Sequence, residues 1–313
     1  SDPLMETWNG RRLGVAAAPD RLLLDQAYSI DDFKTEFAKT TKNLTALYYA
    51  PEHQPWGQSL LTENLNDLKQ VFDWRPLLDE MRLFKSAAEI ALMQQAGQIS
   101  ALAHIRAMKQ MRPNRLEYEI ESEILHEFNR FGARFSAYNT IVAGGENACI
   151  LHYTENNQSL QDGDLVLIDA GCEFAMYAGD ITRTFPINGK FTQPQREIYE
   201  IVLQAQKRAI ELLVEGNSIQ QANDEVIRIQ VEGLIRLGIL RGEAEALIKN
   251  NAHREFYMHG LGHWLGLDVH DVGSYSESVQ NGDRNSKLRD RPLQIGMVLT
   301  VEPGLYITKN ADV

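Results

Sequence analysis

The sequence is short of several features that would send its reading elsewhere. It has only 2 cysteines in 313 residues, Cys149 and Cys172, each beside apolar or glycine-rich segments. That excludes a disulfide framework and a thiolate zinc site, and it fits a reducing cytoplasm, with both thiols expected as buried structural residues. Nothing local marks either thiol for a lowered pKa. No apolar run reaches the roughly 18 residues that a membrane-spanning helix needs. The opening Ser1-Asp-Pro-Leu-Met-Glu-Thr-Trp lacks the basic-then-apolar pattern of a secretory signal. Positive charge is also scarce: 31 Lys and Arg stand against 43 Asp and Glu, a net charge of -12. Nucleic acid and anionic membrane surfaces are therefore not expected partners. No Gly-x-Gly-x-x-Gly follows a candidate strand, and Gly144-Gly145 reads as a turn.

At 313 residues the chain exceeds the roughly 250–300 at which single cores stop growing, so two domains are expected. Residues 1–83 carry short apolar stretches broken by turn formers, such as Ala18-Pro19-Asp20 and Leu47-Tyr-Tyr-Ala-Pro51, and read as part of a small α/β domain. From residue 84 the texture changes. Ser86-Ala-Ala-Glu89 is a capping box, followed by Ile90, Met93, Ala96, Ile99 and Ala103 at helical spacing. Pro113 closes that helix. A second is expected over roughly 116–131, with Leu116, Ile120, Ile124 and Phe128 on one face and Gly132 as its stop. Thr192-Gln-Pro-Gln195 and Ser218-Ile-Gln-Gln221 open another pair, ending near Gly238, so two helix-pair-plus-strand units suggest an internal duplication. Strands are expected at 139–143, 164–169, 180–186 and 297–302. Helices and strands arrive in blocks, which favours an α+β domain with a curved antiparallel sheet, spanning 84–313. The polar segment 271–295 reads as a surface loop.

The chemistry lies where carboxylates end apolar runs. Asp169 closes Leu-Val-Leu-Ile, a costly place for a charge unless a cation or dense hydrogen bonding compensates it. Gly171 and Gly179 frame a return of the chain, so Asp180 can converge on Asp169, and a divalent ion between two such carboxylates resolves their repulsion. Taken alone, the pair also fits turn-capping aspartates. The histidines favour function: four of the eight, His253, His259, His263 and His270, fall between 253 and 270. Gly260 and Gly262 argue against a helical zinc motif and for a tight backbone in which one imidazole reaches metal while others serve substrate and protons. Glu302 ends another apolar run, Val298-Leu-Thr-Val, before the stop signal Pro303-Gly304. Oxygen and imidazole ligands without thiolate suit Mn²⁺, Co²⁺ or Zn²⁺, and the excess of carboxylate tilts toward Mn²⁺.

Five ordered motifs then carry a resemblance. His152-Tyr-Thr-Glu-Asn, Asp169-Ala-Gly, Gly179-Asp-Ile-Thr-Arg-Thr-Phe, His259-Gly-Leu-Gly-His-Trp-Leu-Gly and Thr300-Val-Glu-Pro-Gly-Leu-Tyr resemble the catalytic domain of the bacterial aminopeptidase P family. These are Xaa-Pro aminopeptidases of the pita-bread (creatinase/aminopeptidase) metallopeptidases, peptidase M24-like, and the likeness runs from about Trp8 to the end. It implies a curved antiparallel sheet with outer helices, and two divalent metal ions held by Asp169, Asp180, His263 and Glu302, with Asp180 bridging. It further implies attack of a metal-bridging hydroxide on peptides with an N-terminal Xaa-Pro bond, with Glu302 as proton acceptor. His259 would face the peptide, His270 would stabilise the tetrahedral intermediate and His152 would line the proline side of the pocket. Tyr306 would add a hydroxyl beside the site, and Trp8 resembles an aromatic lent to a neighbouring subunit, in keeping with a homo-oligomer, dimer or tetramer.

The family pattern also has a bridging glutamate in a strand some tens of residues beyond Glu302, with an arginine before it, and the sequence offers no equivalent. The expectation is a piece of a longer gene product, poor in binding the second ion and weak in activity by itself. Within the same fold, a prolidase acting on Xaa-Pro dipeptides is the nearest alternative. Methionine aminopeptidase fits less well because its chains lack so long an N-terminal domain, and metal-free creatinase-like hydrolysis would leave Asp169 and Asp180 needlessly paired. A non-catalytic pita-bread binding module is the alternative from another class, disfavoured by the four ligand residues present and by the acidic charge.

Overall fold

The computed structural model describes residues 3–42, 44–50, 57, 70–279 and 287–309. The chain divides into two compact units, Ser1–Leu78 and Asp79–Val313. In the first, the helices Pro3–Asn9, Gly14–Leu22 and Phe33–Thr41 precede two parallel strands, β1 (Ala46–Tyr48) and β2 (Gln70–Phe72). Pro51, in the expected turn after Tyr49-Ala50, lies outside the described residues.

The second unit is built on helix pairs whose starts were written locally. At Ser86 the side chain accepts from the Glu89 amide at 3.4 Å while the Glu89 carboxylate accepts from Ser86 N at 2.7 Å. Such a cap is worth about 1 kcal/mol and starts the Ala87–Gln110 helix. Its buried face is mostly small (Ala96, Ala103, Ala107), which lets the sheet behind it approach closely. The neighbouring Glu117–Arg130 helix turns Ile120, Ile124 and Phe128 into the same core, each burial contributing about 2 kcal/mol. The second pair, Gln193–Leu212 and Ile219–Arg236, begins at the Thr192 and Ser218 boxes and closes a separate core with Phe256, Tyr257 and Leu261.

Against the first pair lie two three-stranded antiparallel sheets. One runs β3 (Phe135–Ser136), β6 (Cys172–Phe174), β7 (Tyr177–Ala178) and the other β4 (Ile141–Gly144), β5 (Leu165–Asp169), β8 (Thr182–Pro186). In the second sheet β5 is central, and its last residue, Asp169, pairs with Ile141 on one side and Thr182 on the other. The expected strands at 139–143, 164–169 and 180–186 thus form within two residues of their predicted limits.

Three expectations need correction. Segment 297–302 is not a regular strand: among the described residues it makes an isolated bridge, Leu299 to Trp264, with bonds from Leu265 N to Val298 O and from Glu302 N to Leu261 O. Its partner is the glycine-rich 260–266 segment, which cannot sustain a ladder. Segment 271–295 is not simply a solvated loop. It contains an antiparallel pair, β9 (Ser276–Val279) and β10 (Lys287–Asp290), and its ends are drawn inward because Asp271 meets Lys85 and Arg291 meets Glu80. Its middle, 280–286, lies outside the described residues. Cys172 is buried as expected, but Cys149 is only partly so; both are free thiols. No described helix is long and apolar enough to cross a membrane.

Candidate metal centre

Two backbone crossings assemble the site. The first joins the aspartates: after Asp169 the chain leaves β5, and Ala170 N donates to Ile181 O at 3.1 Å, which brings Asp180 back beside it. The approach is so close that a Cβ on Gly171 would stand 1.7 Å from the Gly179 carbonyl oxygen. Backbone cannot yield as a flexible side chain would. Gly171→Ala is therefore expected to cost about 3 kcal/mol or more, measured by urea denaturation of the ion-free protein, with metal affinity falling in parallel as the two aspartates are forced apart.

The second crossing joins His263 to Glu302. A Cβ on Gly262 would meet the Thr300 carbonyl at 2.1 Å, so glycine lets the 260–266 segment lie directly on 298–302. Thr300 then ties the pair, its hydroxyl accepting from His263 N at 3.0 Å and donating to Glu302 Oε1 at 2.7 Å.

The result is a group of three. Ligand atoms of Asp180, His263 and Glu302 all lie within 4.8 Å of one another. His263 Nε2 stands 3.3 Å from Asp180 Oδ2 and 3.2 Å from Glu302 Oε1. Its Nδ1 sits 2.9 Å from the Trp264 carbonyl, to which it donates, so Nε2 is the nitrogen turned toward the carboxylates. Asp169 joins through Tyr138, whose hydroxyl lies between the two carboxylates and bonds to both, at 2.9 Å to Asp180 Oδ1.

Electrostatics indicate which ligand this donor set suits. Burial, and then the Asp180 charge, push the Asp169 carboxyl up to about 7. Burial opposes a charged His263, yet its hydrogen bonds to Asp180 and Glu302 prevail and raise it to about 10. Burial and the charges of Asp169 and Asp180 lift Tyr138 well above the phenol range. In each case the neighbouring carboxylates add to the upward pull, and a divalent cation would relieve that crowding directly. Three carboxylates and an imidazole without thiolate fit such an ion.

The other expected residues divide. His270 packs edge-on against His263, ring centroids 4.1 Å apart. His259 and Tyr306 form a unit: His259 Nδ1 lies 2.8 Å from Gly260 O and Nε2 3.1 Å from the Tyr306 hydroxyl, which burial and the Glu302 charge raise to about 12. His152 is exposed, outside this cluster, and Trp8 is 80% exposed on a helix of the other unit. Tyr138 and Thr300 escape sequence reading. The signal for Tyr138 was its place three residues before Ile141, the residue that pairs with Asp169; for Thr300 it was only proximity to Glu302.

Comparison with known proteins identifies the family. The model of "Metallopeptidase family M24" matches residues 91–312. The chain is 68% identical over 312 residues to a Xaa-Pro aminopeptidase of Haemophilus influenzae, covering all of this chain and 70% of the relative. It is 51% identical to one of Escherichia coli, covering 100% and 71%. Among solved structures, proline aminopeptidase P II from Yersinia pestis superposes with a TM-score of 0.93 at 53% identity, over 100% of this chain and 72% of that one. Zn-substituted Escherichia coli aminopeptidase P in complex with product gives 0.93 at 51%, over 100% and 71%. The fold is accordingly the pita-bread fold, α+β, and the centre is one for divalent metal. On the family match and these identities, the chain belongs to metallopeptidase family M24.

Proposed function

We propose that this protein is a metal-dependent Xaa-Pro aminopeptidase, a hydrolase that releases the N-terminal residue from peptides with proline second. The observation that carries the reading is the convergence of Asp169, Asp180, His263 and Glu302, in a chain 68% identical to a relative named for that activity. Those four residues would hold two divalent ions, and Mn²⁺ suits the carboxylate-rich set best. When bound, the metal supplies a lowered pKa for water and polarises a carbonyl oxygen.

The chain's own residues do the rest. Glu302, steered by the Thr300 hydroxyl, accepts a proton. His270, supported against His263, is aimed to stabilise the developing oxyanion. His259, oriented by Tyr306, faces the peptide. His152 lines the proline side, and Trp8 serves a neighbouring subunit of a homo-oligomer, in a cytoplasmic enzyme.

The test is peptide length. With Mn²⁺, Xaa-Pro-Xaa tripeptides are expected to lose their first residue, while the same peptides with alanine second are cleaved at least about tenfold more slowly. Turnover restricted to Xaa-Pro dipeptides would replace this reading with a dipeptidase.

A further inference from the structure

His104 has no part in the chemistry above, yet it lies on the inner face of the Ala87–Gln110 helix at 2% exposure, directly behind the aspartates. Its Nε2 stands 3.2 Å from the carbonyl of Ala170, the residue after Asp169. Across from Ala170 lies Ile181, the residue after Asp180. Those two residues make the backbone contact, Ala170 N to Ile181 O, that joins the two aspartate-bearing turns. Nδ1 is buried and has no hydrogen-bond partner among the described residues. A neutral imidazole carries one N–H, and with Nδ1 bonded to nothing, Nε2–H is the donor. Burial, the main influence, brings the ring down to about 4, so it is neutral over the working range. An idle buried ring nitrogen costs about 1–3 kcal/mol. A leucine would pack at that point of the helix without the cost, so the ring's contribution lies in its bond to the Ala170 carbonyl.

We infer that His104 is a positioning residue: by clamping the Ala170–Ile181 crossing it sets the separation of Asp169 and Asp180, and the affinity of the site for divalent cations depends on it although it touches neither carboxylate. The inference rests on the reading of those aspartates as metal ligands. Groups that orient ligands from behind typically govern metal affinity about 10–100-fold.

The experiment titrates Mn²⁺ calorimetrically into the parent, His104→Leu and His104→Gln, with the thermal midpoint of each ion-free protein recorded separately. Expected is a loss of about 10–100-fold in Mn²⁺ affinity for the leucine variant, with most of it recovered by glutamine, whose amide can still donate to a carbonyl. A leucine variant that melts lower but binds Mn²⁺ within about twofold of the parent would reduce His104 to packing and overturn the inference. A parent that binds no Mn²⁺ at millimolar concentration would overturn the metal reading itself, a distinct result. Nitrogen-15 spectra of the unsubstituted protein give an independent check: the His104 ring is expected as the Nε2–H tautomer, shifted by Zn²⁺, and an Nδ1–H tautomer would overturn the clamp.

Discussion

His263→Ala is expected to abolish tight metal binding and to lower kcat/KM for an Xaa-Pro-Xaa peptide by about three orders of magnitude or more. The reason is positional. His263 is the imidazole that the described structure places between Asp180 and Glu302, and its orientation is fixed from both sides, by its own Nδ1 bond to the Trp264 carbonyl and by the Thr300 hydroxyl on its amide. Removing the ring leaves two carboxylates facing across a gap, still able to attract a cation but with one ligand fewer and no fixed geometry. Metal-centred charge stabilisation is worth several kcal/mol, and each 1.36 kcal/mol is about tenfold in rate. Metal content after dialysis and initial rates with added Mn²⁺ would measure both effects. The two should fall together. A variant that keeps full metal content while losing activity would instead make His263 a substrate or proton group and move the ligand role elsewhere. Tyr306 is the useful contrast, because its bond to His259 ties it to the peptide-facing side and its removal should leave metal content unchanged.

Much of this site was legible because its signals are local. A capping box, an apolar run that stops at a carboxylate, and histidines spaced by glycines can each be read from a few neighbouring residues, and Ser86, Asp169 and the 259–263 segment all stand where those patterns put them. What escaped reading depends on distant partners. Met297–Glu302 alternates well enough to suggest a strand, but whether it forms a ladder is decided by the 260–266 segment, whose glycines permit close approach and little regular pairing. Tyr138 looks like any aromatic before a strand until the β4–β5 register sets it beside Asp169. His104 reads as a core histidine, and is one. Only the position of Ala170 behind the aspartates, bonded in turn to Ile181, gives its ring something to hold. Asp271 is the clearest case: in the sequence it opens a polar, charged segment, and charge in such a segment ordinarily means solvent.

The structure instead seals Asp271 inside, and that is the source of the largest stability effect expected. Its side chain and that of Lys85 are each 1% exposed, with Lys85 Nζ 2.9 Å from Asp271 Oδ2, while Arg82 reaches the other oxygen from the partly open side. Asp271→Ala would strand the Lys85 ammonium where water cannot replace the carboxylate, which costs about 3–5 kcal/mol. Arg82 would suffer less, because it retains the exposed Asp268. Urea denaturation of the ion-free protein should show the loss in full, and the double variant Lys85→Met/Asp271→Leu should recover most of it, since apolar replacement of a whole buried pair is often neutral. The two variants also separate stability from chemistry. Asp271 N donates to the Trp264 carbonyl, and the adjacent His270 packs on His263, so the pair anchors the turn that presents His270. If the anchor matters only for folding, the double variant should be as active as the parent. If charge at Asp271 holds the turn in register, the double variant should regain stability and metal content but keep a lowered kcat. A loss below about 1 kcal/mol for Asp271→Ala would place the pair among solvent-screened surface bridges and remove the basis for either outcome.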